Sequence, residues 1–302
     1  MRIVNLTWND YSNFSFSNAK SLQSIGVDCK AYTITPHEFG YKEQARVVSY
    51  AEMKQLACEV DIIQLFHTQV NILELVKNLN KHVIAYHTGT GYRQSPDEMN
   101  ALFNPYVDFC FTDSPEFMTL GAKGVKYIAT AIDTDEIKPE LANTPYLFAH
   151  FPSKATTKGT DKIWEMVCGT DNIENLLAIE RNILPHAENL KRINDRAPNY
   201  IEMFNPYQGD KPYGSFGVTA FEAAALDKVV ITNSMFHNIY TGTYGLDSML
   251  IANNEGNFKY HITEIISGRF TVNNFKVSPR EWIIQKHGLK PSGEYLAKCL
   301  GL

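Results

Sequence analysis

The chain has 302 residues, 44% hydrophobic and 12% aromatic, enough to bury a sizeable core; that excludes intrinsic disorder and small disulfide-stapled scaffolds and favours two domains. Its net charge of -5 gives no global electrostatic reason to bind nucleic acid or an anionic membrane. The acidic excess sits in the first half, where residues 1–140 hold 12 Lys+Arg against 17 Asp+Glu, while the remainder holds 16 against 16.

No apolar run approaches the ~18 residues of a membrane span, and Met1-Arg2-Ile3-Val4-Asn5-Leu6 leads into polar residues without a signal-like core, so a cytoplasmic protein is expected. The five cysteines, Cys29, Cys58, Cys110, Cys168 and Cys299, are odd in number and widely spaced, which encodes neither a disulfide framework nor a zinc site.

In chain order, Arg2–Leu6 reads as a strand, Ser17–Ile25 as a helix and Cys29–Ile34 as a second strand. The alternation continues with strand Asp61–Phe66, helix Asn71–Asn80, and strands His82–Tyr86, Phe109–Thr112 and Lys126–Ala129. Strands separated by helical stretches predict a parallel sheet with helices on both faces. The periodicity lapses in the polar, proline-bounded stretch 138–145, which sets the domain boundary at 142/143. A second series follows: strand Tyr146–His150, helix Asp161–Val167, a long helical and polar region from Asn172 to Asp195, helix Val218–Leu226 and the buried strand Lys228–Thr232. His261–Ile266 and Pro279–Lys286 read as helices, and the tail from Gly268 is locally basic, with Arg269, Lys276, Arg280, Lys286, Lys290 and Lys298 against Glu281 and Glu294.

Two stretches carry chemistry. His150-Phe-Pro-Ser-Lys-Ala-Thr-Thr-Lys158-Gly-Thr-Asp161 joins a strand to a helix and holds two lysines on a turn, where point charge and helix-start amides suit a phosphate. Tyr213-Gly-Ser-Phe-Gly-Val-Thr-Ala-Phe-Glu222 sets glycines before a small-residue helix and one acid on an apolar face, a natural partner for vicinal ribose hydroxyls. His67 ends a strand and reads as a half-buried satisfied histidine or as one lining the cleft, and His186 and His237 read as structural histidines. The aromatic loop of Trp8, Tyr11, Phe14 and Phe16 reads as core or as a stacking platform.

In order and spacing, these stretches resemble the retaining GT-B glycosyltransferases of the group 1, family 4-like type. Ala131-Ile132-Asp133-Thr134-Asp135-Glu136-Ile137-Lys138-Pro139 is similar to their interdomain link, and Ala85-Tyr-His87-Thr-Gly-Thr-Gly-Tyr-Arg93 to their His-Gly turn. The resemblance covers roughly residues 80–235. It implies an α/β fold of two Rossmann-like domains, 1–142 on the acceptor side and 143–302 on the donor side with a C-terminal helical tail, and an active site in the cleft between them. It implies His87 and Lys158 as catalytic residues. Ser153, Lys154, Lys158, Ser215, Phe216, Gly217, Val218 and Glu222 would hold the donor, and Asp10, Tyr11 and Arg93 the acceptor. The family's first motif glutamate falls at Gly214, and its glycine-rich first loop is replaced by Asn9–Phe14.

The function expected on this basis is transfer of a hexosyl or pentosyl group from a nucleoside-diphosphate sugar, such as a UDP-sugar, to a glycan or small-molecule hydroxyl. Retention, independence of metal and no cofactor beyond the co-substrate are expected, Lys154, Lys158 and the helix amides after Ser215 serving to neutralise the leaving diphosphate. Two alternatives stand beside it: a phage-type enzyme glycosylating a hydroxymethylated base in DNA, and an epimerase or non-catalytic sugar-nucleotide-binding protein on the same fold.

Overall fold

The computed structural model describes residues 1–169 and 176–302. The chain divides into two compact units, residues 1–133 with 287–302, and residues 134–286. The strands in chain order are β1 (Arg2–Thr7), β2 (Asp28–Thr33), β3 (Arg46–Val47), β4 (Ile62–Phe66), β5 (His82–His87), β6 (Phe109–Thr112) and β7 (Lys126–Tyr127) in the first unit. In the second they are β8 (Phe148–His150), β9 (Leu177–Ile179), β10 (Asn199–Ile201), the hairpin β11 (Tyr207–Gln208) and β12 (Lys211–Pro212), β13 (Val229–Thr232) and β14 (Leu250–Ile251).

The first unit is a parallel sheet in the order β3-β2-β1-β4-β5-β6-β7. Its central strands are buried on both faces, and their period of two deals alternate residues to two cores. Val4, Leu6, Ile63, Leu65, Val83 and Ala85 join one cluster with Met53, Ala57 and Phe103. Ile3, Ile62, Phe66, Ile84 and Tyr86 join the other with Phe14, Leu22 and Leu296. Helices Tyr50–Glu59 and Pro96–Phe103 supply residues to the first, and Phe14–Gln23 and Leu289–Leu300 to the second. Helix Tyr50–Glu59 starts at a capping box, Ser49 with Glu52, a signal legible in the sequence.

The last helix places the tail. Gly293 lies so close to helix Phe14–Gln23 that a Cβ there would stand 2.1 Å from the Ser21 carbonyl oxygen, and Leu296 is fully buried. Burying one such leucine contributes roughly 2 kcal/mol. Residues 287–302, assigned from chain order to the second domain, therefore belong to the first unit, and the division falls at 133/134 rather than 142/143.

The second unit's sheet is parallel in the order β14-β13-β10-β8-β9. Phe148, Ile201, Val229 and Ile231 pack with Ile163 and Val167 of helix Thr160–Cys168 and with Phe258 and Ile262 of helix Glu255–Ile266. The stretch expected to be helical from Asn172 to Asp195 falls partly on 170–175, outside the described residues. The rest of it contains β9 before helix His186–Arg196, because a three-residue strand has too few alternations to reveal its period. Among the described residues, no helix is long and apolar enough to cross a membrane.

Candidate functional site

Doubly wound sheets bind ligands outside the carboxyl ends of their strands, where the strand order reverses. In the second unit that point lies between β8 and β10. The loop after β8 carries Lys158 and β10 is followed by Glu202, which is 2% exposed. The Lys158 ammonium is ion-paired with Glu202 Oε1. Gly159, at φ 73°, lets the chains close, since a Cβ there would stand 2.1 Å from the Phe204 carbonyl oxygen. Gly217, at the N-terminus of helix Val218–Ala225, lies directly against the pair: its Cβ would be 2.5 Å from Glu202 Oε1 and 3.2 Å from Lys158 Nζ. An anion at this helix start would meet an oriented ammonium together with the backbone amides of the first turn.

Asn233, buried after β13, fixes the neighbouring loop: its amide donates to the Tyr213 carbonyl at 2.8 Å and its Oδ1 accepts from the Asn205 N–H at 2.8 Å. A Cβ at Gly214, where φ is 113°, would fall 1.9 Å from Asn233 Nδ2. The glutamate of the resembled motif has no room here, which accounts for the glycine.

Glu222, 4% exposed in a helix otherwise alanine-rich, lies 2.6 Å from His186 Nε2. Burial lowers the His186 pKa, but the hydrogen bond and charge of Glu222, joined by Glu136, leave it raised. The sequence offers His186 as a structural histidine, because its spacing from Glu222 in the chain carries no pairing signal. Ser153 and Lys154 are exposed, and Ser215 and Val218 half-buried. The ring of Phe216 belongs to a core of Phe221, Tyr240 and Trp282, with Tyr240 at 4.8 Å, so only its backbone is left to face a ligand.

In the first unit the order reverses between β1 and β4. Asp10, after β1, accepts from the Ser15 N–H at 2.8 Å and the Phe16 N–H at 3.0 Å, capping the helix that follows, and His67 Nε2 lies 3.2 Å from its Oδ1. His67 Nδ1 is 2.8 Å from Thr88 Oγ1. His67 and Thr68 both adopt left-handed backbone, at φ 68° and 53°, a conformation that costs non-glycine residues about 1 kcal/mol or more each and collects at functional sites. At the end of β6, burial pushes the Asp113 carboxyl up to about 6.

Beside this cluster a cavity of about 280 Å3 opens between the loops after β1 and β2, lined by Asn9, Asp10, Tyr11, Ser12, Pro36, His37, Glu38 and Phe39. Tyr11 is 56% exposed, and its ring meets the His67 ring edge-on at 5.4 Å.

His87, expected as a catalytic residue, is enclosed by aromatic rings of its own unit. It closes β5, as expected, but is fully buried, stacked on Tyr92 at 4.2 Å and held neutral by burial, which depresses its pKa to about 4. Its Nδ1 lies 3.1 Å from Thr68 Oγ1. Arg93 is ion-paired with Glu116 at 2.7 Å and lies over the Phe117 ring; it does not line the cavity that Asp10 and Tyr11 share. The expectation of a metal-free site must also be set against Asp133-Thr134-Asp135, an Asp-x-Asp whose first carboxylate is ion-paired with Lys20 at 2.7 Å.

By sequence the chain matches no family model and no curated protein. Its structure is similar to that of Anabaena HepE in complex with UDP (11% identity, 100% of each chain covered, TM-score 0.61). It is also similar to AviGT4, a glycosyltransferase involved in avilamycin A biosynthesis (12% identity, 100% of this chain and 99% of the other, TM-score 0.54). A third likeness is to the T4 phage BGT in complex with UDP and Mn2+ (9% identity, 100% and 96% covered, TM-score 0.50). At these identities the likeness is one of fold, and the fold is the two-domain, Rossmann-like GT-B architecture.

Proposed function

We propose that this chain transfers a glycosyl group from a nucleoside-diphosphate sugar to an uncharged hydroxylated acceptor. The observation that carries the reading is the Lys158–Glu202 pair set against Gly217 at the start of helix Val218–Ala225. An ammonium has three donors. One is engaged by Glu202, which aims the group and leaves two for the leaving diphosphate, whose charge grows as the glycosidic bond breaks. Backbone amides at the helix start add fixed dipoles, and stabilisation realised mainly in the transition state raises the rate rather than the affinity. Glu222 is the acceptor for the nucleotide's ribose hydroxyls. The UDP bound by HepE and BGT supports a nucleotide donor.

For the acceptor, the cavity beside Tyr11 offers an exposed ring and polar groups, the combination that suits a sugar ring. Among the described residues that line it are the acids Asp10 and Glu38 and no lysine or arginine, which favours a neutral acceptor over a polyanion such as DNA. In the basic tail the two arginines are engaged within the protein, Arg269 with Glu264 and Arg280 with the carbonyls of Thr134, Ile137 and Ala225, while the lysines Lys276, Lys286, Lys290 and Lys298 are exposed. Retention and metal independence belong to the same proposal.

Calorimetric titration with UDP-, dTDP- and GDP-sugars, followed by label transfer to saccharides and to hydroxymethylated duplex DNA, tests the reading. Binding of one donor and label in a saccharide is the expected result. No binding to any nucleotide sugar overturns it, and label in DNA transfers the assignment to the alternative acceptor.

A further inference from the structure

Glu222 is a carboxylate on a buried helix face among Ala220, Ala223, Ala224 and Ala225, and an ionised group there needs a compensating charge or must take up a proton. The compensation comes from His186, the first residue of helix His186–Arg196, whose side chain is 13% exposed against 6% for that of Glu222. We infer that His186 is a positioning residue of the nucleotide site: its imidazolium fixes the Glu222 carboxylate and cancels its charge, and affinity for nucleoside-diphosphate sugars falls when that proton is lost. This rests on Glu222 being the ribose ligand.

The geometry gives the reason. With His186 Nε2–H donating to Oε1 at 2.6 Å, one oxygen is committed and the carboxylate is held in one rotamer, with acceptor capacity left for hydroxyl donors. Without the proton, the pair becomes a net negative charge facing a ligand that is itself a dianion, and repulsion opposes binding. The other groups facing the pair reinforce this. Glu136 adds negative charge near His186, and Tyr200, from β10, is a buried phenol that stays neutral. On the same helix as His186, Arg192 is engaged by Glu180, Asn182 and Asn189. Burial opposes the imidazolium, but Glu222 and Glu136 hold the His186 pKa above its ordinary value, so the site loses compensation as pH rises through that raised value. By linkage, a bound nucleotide sugar raises the His186 pKa further.

UDP-glucose is the probe, because its diphosphate diester keeps a constant charge where the imidazole titrates. Calorimetry on the full chain between about pH 6 and about pH 9 brackets that titration. The wild type is expected to lose about tenfold in affinity over one protonation step. His186→Gln, which keeps a neutral donor, should bind about tenfold more weakly at the acid end and show no pH dependence. In the wild type, the His186 ring resonance should titrate at higher pH with UDP-glucose bound than without. A flat wild-type profile, an unaltered profile in His186→Gln, or a His186 pKa unmoved by UDP-glucose overturns the proposal while leaving the donor site standing. Should His186→Gln not fold, the ring titration of the wild type decides alone. If the wild type binds UDP-glucose at no pH, and dTDP- and GDP-glucose likewise, the donor reading itself falls and this inference with it.

Discussion

The reversal points of the two sheets are built alike and charged differently. Between β8 and β10, a cation and an acid meet in an ion pair, Lys158 with Glu202, and nearby His186 meets Glu222. Between β1 and β4, the acid Asp10 is taken up by the helix amides of Ser15 and Phe16 and by His67, and the neighbouring cavity carries acids and aromatic rings. One architecture thus carries a paired cation at one reversal point and acids with aromatic rings at the other, the contrast on which the proposed donor and acceptor sites rest. The difference comes from the side chains gathered beside these strand ends, since parallel sheets supply the same kind of edge in both units.

The sharpest way to break this contrast is at Lys158. Lys158→Ala should slow transfer about 100-fold or more, as loss of an oriented donor to developing charge does. It also strands the buried Glu202 carboxylate, so stability falls as well. The double variant Lys158→Ala with Glu202→Gln should regain stability without regaining transfer, in a comparison of urea unfolding with initial rates. Recovery of transfer in the double variant would show that Lys158 serves the fold alone.

Next in size is a response the two units share. His87 and His150 are both fully buried with pKa values depressed to about 4, in each case by burial first. His150 has both ring nitrogens bonded, to the Ile201 carbonyl at 2.7 Å and to Thr160 at 2.9 Å. Because the unfolded chain takes up protons near 6.5 and the folded chain does not, stability is complete above that value and falls as pH drops toward 4. The loss approaches about 3 kcal/mol per histidine. Chemical unfolding at neutral and mildly acid pH measures it, and an equal midpoint at both would contradict the burial of these rings.

A smaller effect is expected at Asp10. Asp10→Ala removes the carboxylate from two helix amides and should cost about 1–2 kcal/mol, together with loss of the His67 contact. Asp10→Asn should recover part of the stability, since its side-chain oxygen still accepts. The mildest prediction concerns Tyr11, whose exposed ring contributes little to the core. Tyr11→Ala should raise the acceptor KM roughly fivefold, about 1 kcal/mol of lost stacking, with donor affinity and melting temperature unchanged. An unchanged acceptor KM would remove the cavity from the acceptor site and weaken the contrast between the two crevices.

Several of these features are legible in the chain itself. The alternation of strands and helices stands out because buried parallel strands are nearly all apolar: Val229–Thr232 opens with three β-branched aliphatics and Ile62–Phe66 is interrupted only by Gln64. The loop bearing Lys158 and the glycine-led helix bearing Glu222 are local patterns, readable as a turn and a cap. The strands β9, β10 and β14 were less legible, being two or three residues long, and with β10 went Glu202.

What the sequence determined by itself was the element order, the two-domain α/β class and the positions of the loops that carry Lys158 and lead into the Glu222 helix, because period, turn chemistry and charge act over a few residues. Tertiary structure decided the partners. Lys158 finds Glu202 across 44 residues, His186 finds Glu222 across 36, and Asp10 finds His67 across 57. It also buried His87 where a reacting group was expected, and folded residues 287–302 back onto the first unit. Such pairings depend on which strand ends a sheet gathers at its reversal point, and a strand order is set by packing many elements at once, which no local pattern of residues encodes.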